Sequence, residues 1–164
     1  MAGKRGLIMG LANDRSLAWG IAKALGEQGA ELAFSYQGET LEKRVRPLAE
    51  QLGSDLLIDC DVSSNDALDA AFAKLRERWD KLDFLVHAIG YSDKNELRGK
   101  FVDTSLDNFL MTMNISVYSF VAVVQRARAM MERGGSLLTL TYYGAEKVIP
   151  HYNVMGVAKA ALES

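Results

Sequence analysis

Apolar residues fall into two rhythms along the chain. Short runs at Gly6-Leu-Ile-Met, Glu31-Leu-Ala-Phe-Ser-Tyr, Leu56-Leu-Ile-Asp, Phe84-Leu-Val-His and Ser136-Leu-Leu-Thr-Leu have the length and content of buried strands. Between them, stretches near 17 to 28, 40 to 52, 65 to 80 and 106 to 132 repeat their apolar positions at helical spacing. Strands alternating with helical crossovers predict an α/β fold, a doubly wound parallel sheet covered on both faces. No linker, internal repeat or low-complexity segment interrupts the pattern, so residues 1–164 are expected to form a single domain.

A last helical pattern, Val154-Met-Gly-Val-Ala-Lys-Ala-Ala-Leu-Glu-Ser, runs to Ser164 without a glycine, a proline or a basic final turn. It predicts a chain that lacks its C-terminal portion. The stretch 106 to 132 carries Leu110, Met113, Val117, Phe120, Val121, Val124, Met130 and Met131 on more than one face. A helix apolar nearly all round must bury more than one side, and here the sheet and a second subunit are the expected partners.

Composition narrows the class. The chain has 164 residues, 49% of them hydrophobic and 24% charged, with a formal net charge of -2, which implies a soluble globular domain with no broad basic field for nucleic acid. The single cysteine, Cys60, fits a reducing cytoplasm. The N-terminal apolar stretch Gly6 to Ala12 is too short for a signal-peptide core, and no other run is expected to span a bilayer. His87 and His151 have no neighbours of ligand type, so no metal site is expected. His87 is expected to be a packed strand residue and His151 a loop residue.

Candidate chemistry sits at the strand ends. Gly10 closes the first strand, Ser16 can cap the next helix, and free N–H groups at that helix start attract pyrophosphate oxygens. The usual G-x-G-x-x-G spacing is absent, and Gly20 is expected to let the helix pack closely on the sheet. Gln37 ends the second strand, where NAD-binding folds often place an acid and NADP-binding folds a base. Its neutral amide favours NADH over NADPH, with Lys43 and Arg44 close by. Asp61 and Val62 end the third strand, suited to an adenine or to a turn, and His87-Ala-Ile-Gly90 ends the fourth with small residues.

Tyr152 and Lys159 stand seven residues apart. On a helix that spacing returns to within about 20° of the same face, two turns along, and the lysine leans back toward the phenol.

Gly10-x5-Ser16-x3-Gly20, Tyr36-Gln37, Cys60-Asp61-Val62, His87-Ala-Ile-Gly90 and above all Tyr142-Tyr-Gly-Ala-Glu-Lys-Val-Ile-Pro-His-Tyr152-Asn-Val-Met-Gly-Val-Ala-Lys159 resemble the NADH-dependent enoyl-acyl-carrier-protein reductases of bacterial fatty-acid synthesis. These are a divergent branch of the short-chain dehydrogenase/reductase family, and the resemblance runs over essentially the whole chain. It implies a Rossmann-type fold whose last strands lie beyond Ser164. It implies a cytoplasmic homotetramer that takes an enoyl thioester from acyl carrier protein. It assigns Tyr142, Tyr152 and Lys159 to catalysis. Gly10, Ser16, Leu17, Gln37, Asp61, Val62, Ile89 and Lys159 go to NADH, and Ser92 to the substrate backbone. Ile115 is a further cofactor neighbour, Asn114 a structural polar residue, and Tyr143 a structural residue on the far side of its strand. The departures are small, with Ala88 where some relatives carry serine and Leu17 where isoleucine is frequent. Two other readings stay open: a ketoreductase of the same superfamily, against which the Tyr-x6-Lys spacing and Tyr142 in the usual serine position argue, and an inactive nucleotide-binding fragment.

Overall fold

The hydrophobic rhythms predict the element order well. A computed structural model describes residues 1–164. Its strands are β1 (Arg5–Met9), β2 (Glu31–Tyr36), β3 (Leu57–Asp59), β4 (Phe84–His87) and β5 (Ser136–Thr139). Its α-helices are α1 (Leu17–Glu27), α2 (Gly38–Gln51), α3 (Asn65–Arg78), α4 (Leu106–Met113), α5 (Ser119–Ala127) and α6 (Asn153–Glu163). The strands form one parallel sheet in the order β3-β2-β1-β4-β5, the doubly wound order.

The chain divides into two compact units. The first comprises Met1–Ala88 and Ala122–Thr139, the second Ile89–Val121 and Leu140–Ser164.

The first unit contains the whole sheet. Ile8, Phe34, Leu57 and Val86 point to one face and pack with Ala18 and Ala22 of α1 and Val45 and Ala49 of α2. Their alternates Leu7, Met9, Ala33, Ile58 and Leu85 are also buried, so both faces are covered and near-continuous apolar strands are what such a sheet requires. Fully burying side chains of this size contributes about 1.5–3 kcal/mol each. His87, buried in β4, places Nδ1 3.1 Å from the Thr139 hydroxyl, as expected of a packed strand residue. The expected close approach of Gly20 does not occur, because a Cβ there would meet nothing within 4 Å.

The stretch predicted as one helix from 106 to 132 is interrupted. A π turn at Asn114–Tyr118 separates α4 from α5, and a 3-10 turn at Arg128–Met130 follows. A single inserted residue shifts the helix phase there, which composition does not reveal. One expectation needs correcting: the run Leu106–Met130, 25 residues with mean hydropathy 1.2, is long and apolar enough to cross a bilayer. One third of its 18-residue apolar window is buried in the protein.

Within the second unit, buried side chains are mostly polar: Ser92, Asn108, Thr112, Ser116, Ser119 and Lys159. Tyr143 lies in a 3-10 turn, Tyr143–Ala145, more than half exposed, not on a strand as expected. His151 sits outside any helix or strand, as expected of a loop residue.

Candidate functional site

The first unit brings together the residues expected at the adenosine and pyrophosphate. Gly10 follows β1 directly, with φ of 92°, a backbone that a β-carbon would strain. Beyond it, Asn13 Oδ1 accepts from the Arg15 N–H at 2.9 Å, and the Ser16 hydroxyl donates to the Asn13 carbonyl at 2.7 Å. Ser16 is the N-cap of α1, yet its side chain does not cap the helix. The hydroxyl is committed to the preceding turn, so the side-chain cap expected from the sequence is absent. The first N–H groups of α1 are therefore not taken by it, and Leu17 stands 72% exposed at the helix start.

Gln37 is the N-cap of α2, again without a side-chain cap, and its amide lies near enough to Asp61 to help lower that carboxyl's pKa. Asp61 Oδ1 also accepts from the Ser63 N–H at 2.9 Å and the Ser63 hydroxyl at 2.7 Å. The Ser63 bonds hold its carboxyl below the usual range, so it stays anionic. The turn reading of Asp61 is thus realised, and Val62 follows it in the same turn. Cys60 beside them is buried, its thiol pushed up to about 11 by burial and by Asp61 and Asp59. It is a packing residue, not a nucleophile.

The second unit holds the remaining candidates. Ile89 and Gly90 follow β4, and the next residues are fastened to the helices. The Tyr91 N–H donates to Ser116 Oγ at 2.9 Å, and the Ser116 hydroxyl donates back to the Tyr91 carbonyl at 3.1 Å. Asn108 Oδ1 accepts from the Ser92 hydroxyl at 3.2 Å, the Asp93 N–H at 2.9 Å and the Thr112 hydroxyl at 3.3 Å. Ser92, the expected substrate contact, is buried with its hydroxyl engaged, which leaves its backbone as the group a ligand could meet. Ile115 and Asn114 lie in the π turn that also carries Ser116.

Lys159 and Tyr152 occupy α6 and its N-cap. Tyr152 lies between two residues with positive φ, His151 at 60° and Asn153 at 33°. Such backbone costs on the order of 1–3 kcal/mol per residue, and here Asn153 is held by its Nδ2, which donates to the Glu96 carbonyl at 3.0 Å. The Tyr152 ring meets Tyr142 edge-on, centroids 4.9 Å apart at 70°. Burial, with Tyr142 adding, raises the Tyr152 hydroxyl above its ordinary 10.0, so at neutral pH it is a phenol that donates a hydrogen bond.

Lys159 is 7% exposed and donates to the Leu140 carbonyl at 2.7 Å. Burial alone lowers its pKa, with no carboxylate acting on it. A β-carbon on Gly90 would sit 3.5 Å from Lys159 Nζ, so the bare backbone there leaves a cradle beside the ammonium. An ammonium with spare donors next to open backbone suits vicinal hydroxyls, and the residues therefore fit a nucleotide ribose. No group of His, Cys, Asp or Glu could hold a metal ion.

Ser116, Asn108 and Thr112 belong to no local motif, and their only signal in the sequence is that of small polar residues inside an otherwise apolar helical run, a signal shared with Asn114.

Known proteins resemble this arrangement over the whole chain. Enoyl-[acyl-carrier-protein] reductase [NADH] 1 of Rhizobium meliloti is 64% identical over the entire chain, which spans 60% of that relative's length. The crystal structure of the enoyl-(acyl-carrier-protein) reductase from Anaplasma phagocytophilum in complex with NAD superposes with a TM-score of 0.97 at 61% identity, over 99% of this chain and 62% of that one. The Bacillus cereus enoyl-acyl carrier protein reductase with NADP+ and indole naphthyridinone gives 0.96 at 46% identity, over 99% and 64%. The family model described as Enoyl-(Acyl carrier protein) reductase matches residues 10–164, which include every candidate residue above, and the chain belongs to that family.

Proposed function

We propose that the protein carrying this sequence reduces the trans-2 double bond of enoyl-acyl-carrier-protein thioesters with NADH, in fatty-acid elongation. The observation that carries the reading is a buried ammonium without a carboxylate partner, Lys159, on the helix whose N-cap residue is a phenol kept protonated by burial, Tyr152. Relatives at 50–64% identity carry the name of NADH-dependent enoyl reductases.

Gly10, Ser16, Leu17, Gln37, Asp61 and Val62 would hold the adenosine and pyrophosphate, with Ile89 and Lys159 at the nicotinamide ribose. NADH supplies a hydride for the substrate β-carbon. The double-bond electrons then move to the thioester oxygen, and the Tyr152 hydroxyl donates a hydrogen bond to that developing oxyanion. The Lys159 charge favours the same oxyanion through a low-dielectric surrounding. A proton taken from water at the α-carbon, as the oxyanion's electron pair returns to re-form the C=O, completes the saturated acyl chain. Tyr142, edge-on to Tyr152, orients the thioester, and the Ser92 backbone meets the substrate chain. The carbonyl reduction of a ketoreductase is disfavoured because Tyr142 stands where that chemistry uses a serine.

The working assembly we propose is a cytoplasmic homotetramer served by acyl carrier protein. Exposed Leu106, Leu110, Tyr118 and Val121 along the α4–α5 run support an intersubunit surface. The test is loss of NADH absorbance with crotonyl or acetoacetyl thioester. Loss with the crotonyl compound is expected. Loss with only the acetoacetyl compound would make the protein a ketoreductase, and loss with neither would leave a nucleotide-binding chain.

A further inference from the structure

The end of β2 is where dinucleotide-binding folds read the adenosine ribose, with an acid for a free 2′-hydroxyl or a base for a 2′-phosphate. Here that position is Gln37, which is neutral, so the choice falls to its neighbours. Relatives of this fold occur with NAD and with NADP+ bound.

Asp59, the last residue of β3, lies beside that position, paired in register with Tyr36 of β2. Its Oδ1 accepts the N–H of Gly38, the first residue of α2, at 2.9 Å. Gly38 has φ of 72°, a conformation that favours glycine and aims its N–H at β3. The N-cap residue Gln37 makes no capping bond of its own, so a carboxylate from the neighbouring strand does that work. A helix start is normally an anion site, and this one already has its anion.

The surrounding charges point the same way. Asp61 lies just past the end of the same strand, and Glu39 is in the first turn of α2. Cations around it are engaged: Lys43 pairs with Glu39 at 2.8 Å, Arg46 pairs with Glu42, and Lys74 donates to the Leu57 carbonyl of β3 at 2.9 Å. Arg44 lies six residues into the helix, about 9 Å along its axis from Gly38.

We propose that Asp59 is the residue that makes this chain select NADH, by filling the α2 start with its own carboxylate and repelling a 2′-phosphate there. The inference rests on the dinucleotide reading above and deepens it. A 2′-phosphate would bring close to two negative charges into a group of carboxylates whose flanking cations Lys43 and Arg46 are already paired, and discrimination by an unfavourable contact follows.

The test is equilibrium titration of the protein with NADH and with NADPH, followed by nucleotide fluorescence and without any acyl substrate, so that it stands apart from enoyl turnover. Wild type should bind NADH more tightly. In Asp59→Asn and Asp59→Ser, which keep an acceptor for the Gly38 N–H and remove the charge, the NADPH-to-NADH Kd ratio should fall by about 10-fold or more. Asp59→Glu, which keeps the charge, should hold the ratio near wild type. Equal wild-type affinities, or a ratio unchanged in the Asn and Ser variants, would overturn the proposal. Loss of both dinucleotides in folded Asn and Ser variants would make Asp59 a structural cap only and overturn it equally. A wild-type protein that binds neither nucleotide would remove the dinucleotide reading itself.

Discussion

The two units bury different kinds of group. In the sheet unit the interior is made of residues such as Ile8, Phe34, Phe72, Leu75 and Leu85, with Ser35, Ser54 and His87 the buried polar exceptions. In the second unit only Val154, Met155 and Ala158 are buried apolar residues, against Ser92, Asn108, Thr112, Ser116, Ser119 and Lys159. An apolar interior is held by area and packing and tolerates no loss of volume. A polar interior is held by its hydrogen bonds, here with the buried Asn108 Nδ2 the one side-chain atom left without a partner, and each further partner removed exposes another group to its full desolvation cost. The difference teaches where stability and chemistry are separable: the sheet supplies a rigid set of strand ends, and the second unit supplies oriented donors.

The largest effect should come from the sheet. Phe34→Ala opens a cavity at a fully buried position and should lower unfolding stability by about 3–5 kcal/mol in a denaturant titration. A loss near the surface-substitution range would mean that Phe34 is not a core residue. Ser116→Ala should cost less, about 1–3 kcal/mol, because it strands the N–H and carbonyl of Tyr91. That variant should also raise the KM for enoyl thioester, since Tyr91 leads into Ser92. Unchanged kinetics would reduce Ser116 to a packing residue.

Lys159→Met sharpens the comparison because stability and binding should move apart. The fold lowers the Lys159 pKa below its ordinary 10.5, so the unfolded chain takes up the proton more readily between the two values. Wild-type stability should therefore rise with pH as it passes from the folded pKa toward 10.5, and this rise should vanish in the variant. Melting at neutral pH should be unchanged or higher, while NADH binding weakens by about 10-fold or more. A large destabilisation at neutral pH would show that the bond to Leu140 outweighs the desolvation cost. The smallest effect concerns Cys60, whose thiol at about 11 and burial should make alkylation at least about 100-fold slower than that of a free thiol. Ready labelling of the native protein would contradict the packed environment.

The sheet unit was legible because each of its strands is apolar on both faces and each crossover carries helical spacing. β2 and β4 agree with the expected residues, and β1, β3 and β5 differ by one at an end. Features missed in the fold depend on geometry that residue type does not encode. A π turn at Asn114–Tyr118 has no compositional mark. Ser16 is in the right place to cap α1 and spends its hydroxyl on Asn13 instead. The bond from Gly38 to Asp59 joins residues 21 apart in sequence, beyond any local pattern. In the second unit, the seven-residue spacing of Tyr152 and Lys159 carried only a weak signal by itself. Its significance came from the resemblance of the surrounding segment, while the buried serines and Asn108 emerged only once their partners were seen.

The central claim is that the phenol of Tyr152 acts on the reacting substrate while Lys159 and the strand ends hold the dinucleotide. It is tested most directly in Tyr152→Phe by measuring NADH affinity and enoyl turnover on the same preparation. Affinity should stay near wild type while kcat falls by about 10- to 1,000-fold, the range for losing one oxyanion donor when others partly compensate. Tyr142→Phe, measured alongside, should lose less. Weakened NADH binding in Tyr152→Phe with kcat preserved, or a greater loss of kcat from Tyr142→Phe, would contradict the assignment.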